Sequence, residues 1–221
     1  MTDLITLTEP RSPVAEAYRV LRTNLAFARP GEVLRSLLVT SPAPEEDKST
    51  TLANLAVVTA QSGRRVIIVD CDLRRPTQHV LFDRPNEAGV TTALVGDETL
   101  DALPLQVTQV EGLQLLASGP IPPNPAELVG TPRMRALIER LVERADLVLL
   151  DAPPVVAVTD AAVLAPQVDG VLLVLVAGQS RRDETARARE LLAKVGATLV
   201  GVVLTGTAPD SSAYGVYGSA T

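Results

Sequence analysis

The apolar positions of the chain fall into two rhythms. Short apolar runs at 37–39, 66–69, 113–116, 147–150, 171–176 and 199–204 each predict a buried strand. Between them, apolar residues three and four apart predict amphipathic helices. Residues 14–27 put Val14, Tyr18, Leu21 and Leu25 on one face, and the segment from Lys48 carries Leu52, Leu55, Ala56 and Ala60 inward. Residues 131–144 turn Met134, Leu137, Ile138 and Leu141 inward, with Thr131 as cap and Pro132 at the first helical position. Helices are also predicted from about residue 125, over 159–165 and over 184–195, with short helical pieces at 91–94 and 100–103. All-apolar strands that alternate with helices imply an α/β fold, a doubly wound, mostly parallel sheet flanked by helices. Residues 1–13 read as a flexible polar arm, 14–205 as the domain, and the Gly/Ser/Ala-rich 206–221 as a flexible tail.

One junction carries specific chemistry. The strand at 37–39, a short loop, and Lys48-Ser49-Thr50 opening a helix have the layout of a P-loop. In such a loop backbone N–H groups and a helix N-terminus cradle phosphates, the Lys reaches the outer phosphates, and the next hydroxyl holds Mg²⁺. The glycines of G-x-x-x-x-G-K-[ST] are replaced here by Pro42 and Asp47, and Pro44, Glu45 and Glu46 complete the loop. Two unit charges 4 Å apart near a protein surface interact with roughly 4 kcal/mol. An inward Asp47 would therefore weaken anion binding by about three decades. An outward rotamer or Mg²⁺ removes much of that, and Asp47 also reads as a plain helix N-cap.

Carboxylates mark two further strand ends. The run 66–69 closes on Asp70-Cys71-Asp72, and ligands of open parallel sheets bind at that edge. Paired carboxylates there suit a metal, or a base beside one; the alternative is that one of them caps the next helix. The run 147–150 closes on Asp151, as in a Walker B element. On the polar side of the first long helix Glu16, Arg19 and Arg22 recur every third residue, which by spacing alone favours a solvated face, with Arg22 free to reach another chain. His79, the only histidine, reads as structural. Tyr214 and Tyr217, in the tail, are either modification sites or there by chance.

Bulk composition narrows the function. A net charge of −6 argues against nucleic acid as a partner, since phosphate backbones call for a basic face. A lone cysteine, Cys71, fits a reducing cytoplasm, and neither a signal pattern nor a membrane-length apolar run is seen.

The stretches EAYRVLRTNLAF, TSPAPEEDKSTTLANLA, VIIVDCDLRRP, NPAEL and LLDAPPVVAVTDAAVLA together resemble the bacterial tyrosine kinases, the autokinases of capsule and exopolysaccharide export, within the MinD/ParA-like P-loop ATPases of the deviant Walker type. The resemblance spans about residues 12–217. It implies ATP and Mg²⁺ as cofactors, Lys48 on the phosphates, and Ser49 on the metal. Pro44 to Thr50 would form the cradle, with Asp70 and Asp72 as a Walker A′ pair that divides base and metal roles, and Asp151 as Walker B. Glu16, Arg19 and Arg22 match the E-x-x-R-x-x-R element that packs subunits into a ring, which reverses the solvated-face reading. Tyr214 and Tyr217 would be phosphorylated in a neighbour's site. A membrane-spanning activator would recruit the chain to the inner face of the membrane. Three departures stand out: the loop reads P-E-E-D-K-S where P-G-E-G-K-S/T is usual, Thr205 replaces an adenine-reading Asn, and the tail has two tyrosines instead of a dense cluster. Three functions are therefore weighed: an active autokinase, a scaffold that binds nucleotide poorly, and a MinD/ParA-like positioning ATPase. The last lacks its usual extra Lys, since 41–44 holds none.

Overall fold

The computed structural model describes residues 4–29, 31–96 and 100–207. In chain order these form α1 (Ile5–Thr8), α2 (Pro13–Phe27), β1 (Ser36–Thr40), α3 (Lys48–Ala60), β2 (Val66–Asp70), α4 (Gln78–Leu81) and α5 (Val90–Val95). There follow β3 (Gln106–Val107), β4 (Leu113–Leu116), α6 (Pro125–Val129), α7 (Pro132–Arg144), β5 (Leu147–Asp151), α8 (Asp160–Leu164), β6 (Gly170–Val176), α9 (Arg182–Lys194) and β7 (Leu199–Thr205). The strands make one sheet in the order β3-β4-β2-β5-β1-β6-β7. All neighbours are parallel except the antiparallel β3–β4 pair at one edge.

The period-two pattern of the strands explains the layers. Leu37 and Val39 face the core that α3 fills with Leu52, Leu55 and Ala56, whereas Leu38 faces the core that α7 fills with Met134, Leu137 and Leu141. In β2, Val66 and Ile68 join the first core, and Ile67 and Val69 the second. Both faces of the sheet are covered, which is why the strands are apolar throughout. The doubly wound architecture is as predicted, and so is the Thr131 cap, whose hydroxyl accepts the Met134 N–H at 3.3 Å.

Several local expectations are corrected. The polar arm is folded from Leu4 onward: Leu4 is buried against α3, and Thr6 donates its N–H and hydroxyl to Asn54 Oδ1 at 3.1 and 2.8 Å. Val14 is exposed and Ala15 is buried in its place, because the Ser12 cap sets the rotation of α2. Residues 100–103 form no helix. The short edge strand β3 was not foreseen, since Gln106–Val107 is too brief to show a pattern. Arg22 is not free: its guanidinium donates to the Val58 carbonyl at 2.9 Å and so satisfies an open acceptor in the last turn of α3.

The fold gathers three strand ends. In the sheet register Asp151 lies opposite both Val39 and Asp70. The loop leaving β1 therefore opens beside the carboxylates that end β2 and β5, at the edge where parallel sheets bind ligands.

Candidate active site

The loop after β1 keeps the shape that glycine would give it. Glu45 has φ 64° and Asp47 φ 51°, both in the left-handed region, and these are the two positions where the similar loops carry glycine. An L-residue in that region costs about 1–2 kcal/mol, less for Asp. Neighbouring segments hold it there. Gln179 Nε2 donates to the Glu45 carbonyl at 3.2 Å. The Glu46 side chain is buried: one oxygen accepts from Ala43 N–H at 3.0 Å and the other from the Ser180 hydroxyl. Glu46 thus braces the loop with both of its carboxylate oxygens hydrogen-bonded.

Asp47 occupies the N-cap position of α3 but makes no capping bond, which removes the plain-cap reading. Its carboxylate is exposed. The first N–H groups of α3 are left for an anion, with the helix dipole behind them. The cavity in front holds about 410 Å³ and is lined by Glu45, Asp47, Lys48, Ser49, Asp72 and Arg75 among others.

Lys48 closes one end of this cavity. Its ammonium lies 3.0 Å from Asp72 Oδ2, 3.3 Å from Asp151 Oδ1 and 3.1 Å from the Ser49 hydroxyl. Burial alone would lower its pKa, but the Asp151 and Asp72 carboxylates outweigh burial and hold it above the ordinary value. Three oxygens therefore surround one cation, half of the six that an octahedral divalent ion takes. Among the described residues no cluster of three or more His, Cys, Asp or Glu is arranged for a metal. Two carboxylates and a hydroxyl match Mg²⁺, which keeps several of its own waters.

The Walker A′ pair divides in an unexpected way. Asp72 lines the cavity. Asp70 is wholly buried, and its oxygens accept the N–H groups of Asp72 (3.3 Å), Thr77 (3.1 Å) and Gln78 (3.0 Å). It therefore anchors the start of α4, the capping role weighed from sequence. Burial first, and then the Asp151 charge, push its carboxyl well above the usual range.

Other expected residues lie elsewhere. The Thr205 hydroxyl donates to the Leu175 carbonyl at 3.2 Å, and Thr205 does not line the cavity. Glu16 and Arg19 pair on α2 at 2.8 Å. Tyr214 and Tyr217 lie outside the described residues. Sequence reasoning missed three contributors, the buried Gln78 and Asp160 and the half-buried Ser180. Gln78 bonds both Ser49 and Asp151, and Asp160 forms a two-pronged pair with Arg74 at 3.1 Å. Ser180 holds Glu46. Asp160, after Thr159, looked like an ordinary helix start, and no pattern marks Gln78 or Ser180.

Comparisons with known proteins agree with this geometry. Residues 37–214 match the CobQ/CobB/MinD/ParA nucleotide binding domain. Tyrosine-protein kinase YwqD of Bacillus subtilis (strain 168) is 40% identical over 218 residues, covering 98% of this chain and 92% of the relative. The kinase domain of Escherichia coli tyrosine kinase ETK superposes with a TM-score of 0.88 at 35% identity, covering 93% of this chain and 80% of that one. The septum site-determining protein MinD of Pyrococcus horikoshii OT3, complexed with Mg-ADP, shares the fold at a TM-score of 0.66 and 23% identity, over 82% of this chain and 76% of that one. The chain belongs to the bacterial tyrosine-protein kinases, on the nucleotide-binding fold of the MinD/ParA group.

Proposed function

We propose that the chain is an ATP-dependent autokinase that phosphorylates Tyr214 and Tyr217 on a neighbouring copy, in the control of capsule or exopolysaccharide export. The observation that carries this reading is the ring of Asp72, Asp151 and Ser49 oxygens around the Lys48 ammonium, at the mouth of an open helix N-terminus.

Ser49, Asp72 and Asp151 would hold Mg²⁺, which when bound neutralises charge on the transferring phosphoryl group. The N–H groups at the start of α3 bind phosphate oxygens. Lys48 stays cationic and supplies a positive charge on a movable stem. The tyrosine oxygen forms its bond to the terminal phosphorus as the bond to ADP breaks, and the tyrosine proton passes to a carboxylate. Cavity lining favours Asp72 over Asp70 as the metal-holding member of the pair, and Asp70 then acts by positioning Asp72 and α4. Glu16, Arg19 and Arg22 on α2 would pack copies into a ring, with Arg22 exchanging its bond to Val58 for one to a neighbour. A membrane-spanning activator would bring the ring to the inner face of the membrane. The ring and the activator rest on the family resemblance.

The left-handed, acid-bearing loop is the observation that favours a scaffold with weak nucleotide binding. The Glu46 carboxylate, tied to Ala43 and Ser180, and the solvent exposure of Asp47 favour the kinase, because one charge is hydrogen-bonded and the other is screened by water. Intact-mass analysis of the chain from its native host should show phosphate on Tyr214 or Tyr217, absent in Lys48→Met. A chain without phosphate that still binds Mg²⁺–ADP in calorimetry points to the positioning ATPase. One that binds no nucleotide at millimolar supply leaves the scaffold.

A further inference from the structure

We infer that Gln78 is a positioning residue of the nucleotide site: it fixes the Walker B carboxylate so that its other oxygen faces the metal position. The inference rests on the nucleotide-binding reading above. Gln78 is wholly buried at the first position of α4. Its side-chain nitrogen donates to Asp151 Oδ2 at 2.7 Å and to the Ser49 carbonyl at 3.1 Å. Its backbone N–H donates to Asp70 Oδ2 at 3.0 Å. One residue thus touches the phosphate-loop helix, the Walker A′ strand and the Walker B strand.

The division of Asp151 between two partners gives the contact its meaning. Gln78 takes Oδ2, and Oδ1 is left facing the cation position that Lys48 fills, beside Ser49 and Asp72. A carboxylate held by one oxygen presents the other at a fixed angle, which is how outer partners tune metal sites. The amide is also the right chemical choice. Asp72 and Asp151 already place two carboxylates against Lys48, with the buried Asp70 beside them, so a donor is needed and a further acid would repel. The assignment of nitrogen and oxygen is forced, because a flipped amide would set its oxygen against Asp151 Oδ2 and the Ser49 carbonyl. That leaves Gln78 Oε1 buried with no partner. A buried acceptor without a donor is costly.

The substitution Gln78→Met keeps length and bulk but removes the amide. Calorimetry on the full chain should then show Mg²⁺–ADP binding weakened by about 10–100-fold. Binding of ADP in EDTA should stay within about twofold of wild type. The split is the informative readout, since a residue that merely supports the fold lowers both alike. Gln78→Asn, which keeps an amide too short to reach Asp151, should reproduce the loss and serves if Gln78→Met does not fold. Equal losses with and without Mg²⁺, or no loss in a folded variant, overturn the inference. If wild type itself binds no Mg²⁺–ADP, the nucleotide-binding reading fails as well.

Discussion

At the scale of single residues the altered loop is a question of direction. The family resemblance implies that Glu45 and Asp47 stand where similar loops have glycine, but only backbone angles show that they adopt glycine's conformation. The carboxylate of Asp47 is exposed, so its effect on a bound phosphate is set by water and not by the protein interior. At 4 Å the interaction is then about 1 kcal/mol in place of roughly 4. Asp47→Gly should therefore tighten Mg²⁺–ADP binding about fivefold in calorimetry. A thousandfold gain would mean that the carboxylate turns inward and that the loop is disabled as it stands. Asp70 gives a second test, through pH. Its native pKa lies above its unfolded value near 3.8, because burial disfavours the charged form. The folded state thus holds the proton more tightly. Stability from Asp70 is greatest below that unfolded value and is lost as pH rises through the native one. Asp70→Asn cannot ionise and can still accept the Thr77 and Gln78 N–H groups. In urea melts, the difference between variant and wild type should shift in the variant's favour from pH 5 to pH 8. A constant difference would show that the folded carboxyl is already ionised across that range.

Among the elements, what sequence revealed and what it hid follow from the range of the forces involved. Strands buried on both faces and the α7 stripe were legible because their apolar residues recur locally. So were the strand-ending Asp70 and Asp151, since a carboxylate closing an apolar run stands out. The arm was not legible. Thr6 and Asn54 are 48 residues apart, and neither looks unusual in its own segment. Gln78 and Ser180 were hidden for the same reason. Each is an ordinary polar residue until the sheet register brings its partner close. The Thr6–Asn54 contact predicts that the arm depends on α3. Asn54→Leu leaves the Thr6 N–H and hydroxyl without their acceptor inside the core, at a cost of roughly 1–3 kcal/mol. Hydrogen exchange should show residues 4–12 losing protection while the cradle after β1 keeps it. Unchanged exchange in the arm would mean that Leu4 packing alone holds it down.

For the whole molecule the proposed autokinase reading poses one question: whether a chain would serve its own tyrosines or its neighbour's. The fold alone allows either. The strand β7 lies two places from β1 in the sheet, so about 10 Å separates its end from the strand that feeds the cradle. From Thr205 to Tyr214 is nine residues, which at about 3.3 Å each can span about 30 Å. Reach therefore does not forbid the intramolecular route, and the trans route has to be tested by mixing. A Lys48→Met chain keeps its tyrosines but lacks the phosphate-binding ammonium. A Tyr214→Phe, Tyr217→Phe chain keeps the site but has no acceptor in its tail. Separately, with ATP and Mg²⁺, neither should gain phosphate on a tail tyrosine. Mixed, the Lys48→Met chain should become phosphorylated, at an initial rate that rises with the square of total concentration until the copies assemble. Phosphate that never appears on the Lys48→Met chain, while wild type labels itself at a concentration-independent rate, would place donor and acceptor in the same molecule and leave the α2 charges without a catalytic purpose.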